Sequence, residues 1–332
     1  MRPAAARRGG PEARRLQTPG APTPPRALPV MKTCVILNPR AGSAQAARES
    51  LLRALGRLGG VQIRETSEAG MARELAGRAV REGFDRVVAA GGDGTLNGVL
   101  DGLAPDFDRA ELGLVPAGTG NDLARTLGIP DHPEEAVEVL LAGHVRRLDV
   151  GRLEVGEGPR WFLNASAGGF TGEVDEELKA ELKEAWGPLS YLRTAVEALA
   201  ELERYRTRLV LEPGTPEEER IRLATVNVVV ANGRFVAGGL LVAPDAEPDD
   251  GLLDVVAIQA APVARLSLLA PRVVVGQHLD HELVLHRRVR ALEVHAEPPM
   301  PFNADGEPAG HTPARYQVLP GAVRFVAPEV AG

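Results

Sequence analysis

Val87-Val88-Ala89-Ala90-Gly91-Gly92-Asp93-Gly94-Thr95-Leu96-Asn97 is the stretch on which the reading of this chain turns. A short apolar strand, Arg86–Ala90, ends in two glycines, and helical spacing begins at Thr95 and runs to Leu103. Glycines at a strand's carboxyl end let backbone N–H groups approach an anion closely, and the following helix adds the positive end of its dipole. Asp93 would repel a bare phosphate, so its place in this turn points to a site that also takes Mg²⁺ or an ordered cationic network. Two further loops have the same form. One follows Leu112–Val115 and reads Gly118-Thr119-Gly120-Asn121-Asp122; the other, Asn38-Pro39-Arg40-Ala41-Gly42, follows Thr33–Leu37. Each alone also reads as an ordinary turn, with Asn121 or Asp122 as a plain helix N-cap. In a parallel sheet all three converge on one edge, the edge at which α/β sheets bind ligands. The P-loop pattern and the Gly-x-Gly-x-x-Gly dinucleotide fingerprint are both absent.

Outward from these loops, strands and helices alternate. Strand patterns at Thr33–Leu37, Val61–Thr66, Arg86–Ala90 and Leu112–Val115 interleave with helical spacing at Ala44–Leu58, Met71–Glu82, Thr95–Leu103, Asp122–Leu127 and Pro133–Ala142. That rhythm predicts a parallel sheet covered on both faces. Past residue 148 it changes. Strand-like runs dominate: Leu148–Val155, Trp161–Ala165, Arg206–Leu211, Ile221–Val230, Leu252–Ile258, Ala291–His295, Tyr316–Leu319 and Val323–Val326. One helical stretch, Gly172–Arg204, interrupts them. The expectation is an α/β domain over 31–148 and a β-rich, mostly antiparallel domain over 149–332. Residues 1–30 stand apart. They hold six Arg and one Glu amid Pro and Ala, with no apolar period. They read as a disordered tail or as an over-long start ahead of Met31.

Composition bounds the function. Of 332 residues, 44% are apolar, 25% charged and 4% aromatic, which fits a globular chain and excludes a coiled coil. A net charge of −7 argues against nucleic-acid binding. The single cysteine, Cys34, excludes a disulfide framework. No apolar run reaches the roughly 18–20 residues that span a bilayer.

The ordered set of motifs resembles the diacylglycerol kinase catalytic family, which includes bacterial lipid kinases and sphingosine and ceramide kinases. It rests on Asn38-Pro-x-x-Gly42, Gly91-Gly-Asp-Gly-Thr95, Gly118-Thr-Gly-Asn-Asp122, Asp149-Val-Gly and Asp305-Gly-Glu307. The resemblance implies an α/β nucleotide-binding domain of NAD kinase/phosphofructokinase-like type, a β-rich lipid-substrate domain, and a last strand that returns to the first. It implies ATP contacts from Asn38, Pro39, Arg40, Ala41, Gly42, Thr66, Gly92, Asp93, Gly94, Thr95, Leu96, Asn97, Gly98, Thr119 and Glu307. It further implies an acidic network of Asp93, Asp122 and Asp149 that organises Mg²⁺, and Asp305 as the general base. A structural Mg²⁺ is implied at the acidic turn 244–254, on the Asp250 carboxylate and the carbonyls of Glu247 and Leu252. One departure is visible: the family carries a Glu where this chain has Gly98.

The activity so implied is ATP- and Mg²⁺-dependent phosphorylation of a lipid hydroxyl, diacylglycerol foremost, by a cytoplasmic protein that meets the membrane peripherally. A homodimer stays open, and nucleic acid is not expected. An NAD or sugar-phosphate kinase also fits Gly-Gly-Asp-Gly, and a nucleotide- or lipid-binding module without catalysis fits Gly98. Phe162–Phe170 and Val174–Tyr191 are candidates for an acyl-chain entry, though such spacing also suits a core. His278, His281 and His286, with Arg287, Arg288 and Arg290, read as a solvated basic face, with a patch that touches anionic headgroups as the alternative.

Overall fold

The computed structural model describes residues 31–39, 48–68, 70–156, 158–169 and 202–329. Arg40, Ala41, Gly42, residues 1–30 and the stretch 170–201, with its helical reading and acyl-entry side chains, lie outside them.

Four strands carry the near-continuous apolar runs of a parallel sheet. They are β1 (Thr33–Leu37), β2 (Val61–Glu65), β3 (Arg86–Gly91) and β4 (Glu111–Pro116), and every residue of β1, β3 and β4 is buried. They pair in parallel in the order β2-β1-β3-β4, with Leu37 opposite both Glu65 and Ala90 and with Gly91 opposite Pro116. Strands buried on both faces need helices on both, and these are α1 (Arg48–Leu55), α2 (Met71–Arg81), α3 (Asp93–Leu103), α4 (Asp122–Leu127) and α5 (Pro133–Ala142). The helix expected over 44–58 is α1 followed by a 3₁₀ turn at Gly56–Leu58. Helix α3 begins at Asp93, two residues earlier than its apolar spacing suggests, because Gly92 is extended and serves as its N-cap.

The remainder is antiparallel. It comprises β5 (Val145–Glu154), β6 (Pro159–Phe162), β7 (Ala165–Gly169), β8 (Tyr205–Leu211), β9 (Glu219–Ala231), β10 (Phe235–Val236), β11 (Leu240–Leu241), β12 (Leu253–Gln259), helix α6 (Val263–Val274), β13 (Val284–Val289), β14 (Ala291–Glu297), β15 (Pro301–Ala304), β16 (Glu307–His311) and β17 (Ala314–Val326). Phe162, Tyr316 and Phe302 meet edge to face in its core, with ring centroids 6.3 and 5.8 Å apart. Strand β17 joins the two parts. It runs antiparallel to β5 and β14, and at its far end Phe325 pairs in parallel with Leu112 of β4.

Several elements differ from the sequence expectation, each for a local reason. Trp161–Ala165 is not one strand: it breaks at Leu163-Asn164 into β6 and β7, and the freed N–H groups bind a carboxylate. Tyr316–Leu319 and Val323–Val326 are one strand, its register shifting around Pro320-Gly321. Helix α6 was not expected; it buries only Leu266, Leu269 and Val273, too narrow a stripe to stand out beside Pro271. The His/Arg run is a solvated face only in part: Arg287, Arg288 and Arg290 are exposed, whereas the histidines are partly or wholly covered. His278 is fully buried and donates from Nε2 to the Val242 carbonyl (2.9 Å), burial lowering its pKa, and His286 donates to Asp254 Oδ1 at 2.6 Å.

The start of β3 holds a buried ion pair. Arg86 Nε and Nη2 donate to Glu111 Oε2 at 3.0 and 2.8 Å, and Nη1 donates to the Leu140 carbonyl at 2.7 Å. Glu111→Ala leaves that guanidinium buried and short of its anion, so urea unfolding is expected to show a loss of about 3 kcal/mol.

Candidate active site

The carboxyl ends of the parallel strands are tied to one another by backbone hydrogen bonds. Asn38 N–H donates to Ala90 O at 3.0 Å, Thr66 N–H to Leu37 O at 2.9 Å, and Ala117 N–H to Gly91 O at 2.9 Å. The loops after β1, β2, β3 and β4 therefore share one edge. Gly92 and Gly118 touch back to back: a Cβ on Gly118 would lie 2.4 Å from the Gly92 Cα. No side chain fits at that approach. Asn121 keeps the second loop shut. Its φ is +52°, its Oδ1 accepts from Gly118 N–H at 3.1 Å, and its Nδ2 donates to Gly118 O at 3.0 Å. The N-cap reading of Asn121 thus gives its position but not its role, because the side chain braces the turn before the helix.

Two carboxylates sit behind this edge. Asp93 Oδ1 accepts from Asp122 N–H at 3.0 Å, and Asp122 Oδ2 accepts from Gly238 N–H at 3.0 Å. Burial, then the Asp122 charge, pushes Asp93 up to about 6 against the pull of the amides at 121–123. Such mutual repulsion is relieved by a cation, so these residues fit a divalent ion arriving with a phosphate ligand. Among the described residues no cluster of three His, Cys, Asp or Glu is arranged to hold a metal alone.

Asp305 faces them from the antiparallel half. It lies in the β15–β16 hairpin with φ +46°, followed by Gly306 at +88°, the two positive values of a tight primed turn. The turn drives its carboxylate into the break between β6 and β7. Oδ2 accepts from Leu163 N–H at 2.9 Å, and Oδ1 accepts from Asn164 N–H at 3.0 Å and Ala165 N–H at 2.9 Å. Burial outweighs these three amides and, with the Asp93 charge across the gap, pushes Asp305 up to about 7. Asn97 of α3 reaches over, its Nδ2 3.4 Å from the Ala304 carbonyl.

Between the two halves lies a cavity of about 580 Å³. Of the residues expected at a nucleotide, Asn38, Thr66, Gly92, Gly94, Thr95, Asn97, Gly98 and Glu307 line it. Glu307 Oε1 comes within 3.4 Å of where a Gly94 Cβ would stand. Leu96 is buried in the core, Thr119 is exposed, and neither it nor Pro39 is among the lining residues. Asp149 sits elsewhere. Its two oxygens accept from Gly251 and Gly321 N–H, both at 2.6 Å, and burial raises its pKa. At the acidic turn, Asp250 Oδ1 accepts from Leu252 N–H at 2.9 Å while Oδ2 is held by the Arg288 guanidinium, and Asp249 pairs with Arg146 at 2.6 Å. A carboxylate already neutralised by an arginine does not fit a hard cation.

Four charged lining residues escaped the sequence reading: Glu68 ahead of α2, Arg73 on α2, Asp101 on α3 and Arg160 on β6. Burial raises the Asp101 pKa against the opposing charges of Arg73 and Arg160. Asp101 lies about one turn beyond Gly98, so both share a helix face. That spacing was the available signal.

Comparison with known proteins decides the family. Residues 32–153 match the diacylglycerol kinase catalytic domain, and residues 166–327 match the YegS C-terminal NAD kinase beta sandwich-like domain. The diacylglycerol kinase of Staphylococcus carnosus (strain TM300) is 31% identical over 264 residues, 80% of this chain and 83% of that one. The chain belongs to the diacylglycerol kinase family. It is thereby a lipid kinase by family, with the α/β and antiparallel parts described above. The diacylglycerol kinase of Staphylococcus aureus (strain MRSA252) is 30% identical over 297 residues, 89% of this chain and 91% of that one. A crystal structure of a provisionally assigned diacylglycerol kinase from Bacillus anthracis str. Sterne superposes with a TM-score of 0.75 at 26% identity, covering 90% of this chain and 97% of that one.

Gly98, the departure from the diacylglycerol kinase pattern, has a packing cause. A Cβ there would lie 2.9 Å from the Ala72 Cβ, so α2 and α3 cross too closely for a side chain. Gly98→Ala is expected to lower stability by about 1–2 kcal/mol in urea unfolding, opposite in sign to the gain at an open helical glycine.

Proposed function

We propose that the cleft binds Mg²⁺–ATP along α3 and transfers its γ-phosphoryl group to a lipid hydroxyl, diacylglycerol first among acceptors. The observation that carries this reading is the Asp305 carboxylate, held by three amides and facing Asp93 across the gap. Residues 31–148 form the nucleotide part and 149–332 the acceptor part. Gly92, Gly94 and Gly118 present a bare backbone edge to the phosphates, with the α3 N-terminus behind it. Asn38, Thr66 and Thr95 add side-chain donors beside that edge, and Thr119 belongs to the loop after β4. Mg²⁺, when bound, neutralises charge on the transferring group, and Asp93 and Asp122 are the carboxylates placed to hold it.

Asp305 takes the proton of the attacking hydroxyl. Oδ1 already accepts two amides and Oδ2 only one, so Oδ2 is the atom with room for a further hydrogen bond. A carboxylate near 7 is a base matched to neutral pH. At the other end of the cleft, Asp101 supplies the carboxylate that Gly98 lacks. Seven residues along α3 separate it from Gly94, about 10 Å, which suits a nucleoside whose phosphates lie at the helix N-terminus. Among the described residues no helix is long and apolar enough to cross a membrane. A lipid acceptor places the protein at a membrane surface.

Transfer of label from ATP into diacylglycerol in mixed micelles tests the reading; label in no lipid, with wild-type protein that binds ATP, overturns it. Asp305→Asn is expected to reduce turnover by about 10³-fold or more while ATP still binds. Because the base must be ionised and its pKa lies near 7, kcat/KM is expected to hold above that pH and to fall along a single-proton limb below it. Asp101→Asn is expected to raise KM for ATP about tenfold with kcat within about twofold, the mark of lost uniform binding.

A further inference from the structure

A second basic site stands far from the cleft, on the outer face of the antiparallel sheet. Strands β9, β8 and β14 lie side by side, and their register sets Arg222 opposite Arg208 and Arg208 opposite His295. All three residues fall on one face, because Tyr205, Thr207 and Leu209 of β8 alternate inward. The rung itself holds no acid, although His295 Nε2 lies 3.5 Å from Glu293 Oε2 two residues earlier on β14. The neighbouring rungs do hold acids: Arg206 pairs with Glu297 at 2.7 Å and Arg315 with Glu293 at 3.1 Å, and Arg220 reaches Glu218 at 2.7 Å. Among the described residues, Arg208 and Arg222 alone on this face have arginine side chains without an ion pair or side-chain hydrogen bond. Like charges directly opposed across an antiparallel pair destabilise a sheet, and both could have been turned outward to any polar residue without loss of the core.

The same two arginines line an open concavity of about 630 Å³, closed at one end by the turn through Pro213 and Gly214. That turn is braced from within, Gly214 N–H donating to Glu218 Oε2 at 2.8 Å. We propose that Arg208 and Arg222 form a binding site for a single phosphate group. Two guanidinium forks match the oxygens of one phosphate and each can bind it through paired N–H groups. Glu218 and Glu293 on the rim repel extended polyanions, which limits the ligand to a compact group. Arg222 stands nine residues before Ala231, which pairs with Ala165 beside Asp305. At the rise of a strand this is about 30 Å. The site is therefore separate from the cleft, and it stands whether or not the cleft phosphorylates a lipid.

The phosphate has two sources, a soluble phosphate compound or the headgroup of an anionic lipid, and two arms separate them. In the first, the full chain is melted in inorganic phosphate against chloride at matched ionic strength, with ADP saturating the cleft throughout. Phosphate is expected to raise the melting temperature of the wild type by about 3 °C, and Arg208→Gln/Arg222→Gln to abolish that rise while the ADP-dependent rise is kept. In the second, flotation with phosphatidylcholine vesicles containing phosphatidic acid is expected to carry the wild type and not the double variant. Loss in the first arm alone assigns a soluble ligand, loss in the second alone assigns a headgroup, and loss in both assigns a phosphate group taken in either form. The double variant without phosphate is expected to melt no lower than the wild type, since a repulsion has been removed. Equal responses of wild type and double variant in both arms overturn the proposal, and Arg78→Gln/Arg53→Gln, at exposed positions on the other half, controls for net charge.

Discussion

A carboxylate that accepts three backbone N–H groups is the constraint around which the two parts of this molecule are arranged. Asp305 can reach Leu163, Asn164 and Ala165 only because the strand there breaks into β6 and β7, and only because the β15–β16 turn accepts positive φ at two successive residues. Sheet pairing gives up two ladder positions, and the amides so released find an anion. Burial and the Asp93 charge oppose ionisation, while the three amides favour it. The balance leaves a carboxylate whose proton is held loosely, at the point where the parallel and antiparallel parts face one another.

The parallel half was legible because each of its physical requirements leaves a mark in the chain. Val87 to Ala90 must be apolar on both faces, and Gly92 and Gly118 must lack side chains to touch. The alternation of strand and helical periods past Thr33 then leaves one arrangement. The antiparallel half was legible as strand content but not as boundaries. Strand β13 carries His286 and Arg287 because it pairs on one side only, β15 and β16 are short, and α6 buries three residues. The break at Leu163-Asn164 has no local signal at all. It exists for the sake of Asp305, about 140 residues further on.

The cleft was read from its glycines, and that bias explains what was missed. Loops that approach phosphates declare themselves by residues that are absent, whereas Arg73, Arg160 and Asp101 are ordinary charged residues on ordinary elements. Only the fold brings them together. Gly98 looked like a lost carboxylate when it is a close helix crossing with Ala72, and a carboxylate stands about one turn further on the same face.

The pairing of β17 with β4 has a consequence for how the protein is made. Strand β4 has β3 on one side and, on the other, a partner that includes Phe325. A ribosome delivering this chain exposes the edge of β4 from residue 116 onward and cannot cover it until more than two hundred further residues have emerged. For most of synthesis the nascent parallel sheet therefore carries an open, apolar margin of the kind that recruits neighbouring chains. That margin closes only when the final strand arrives.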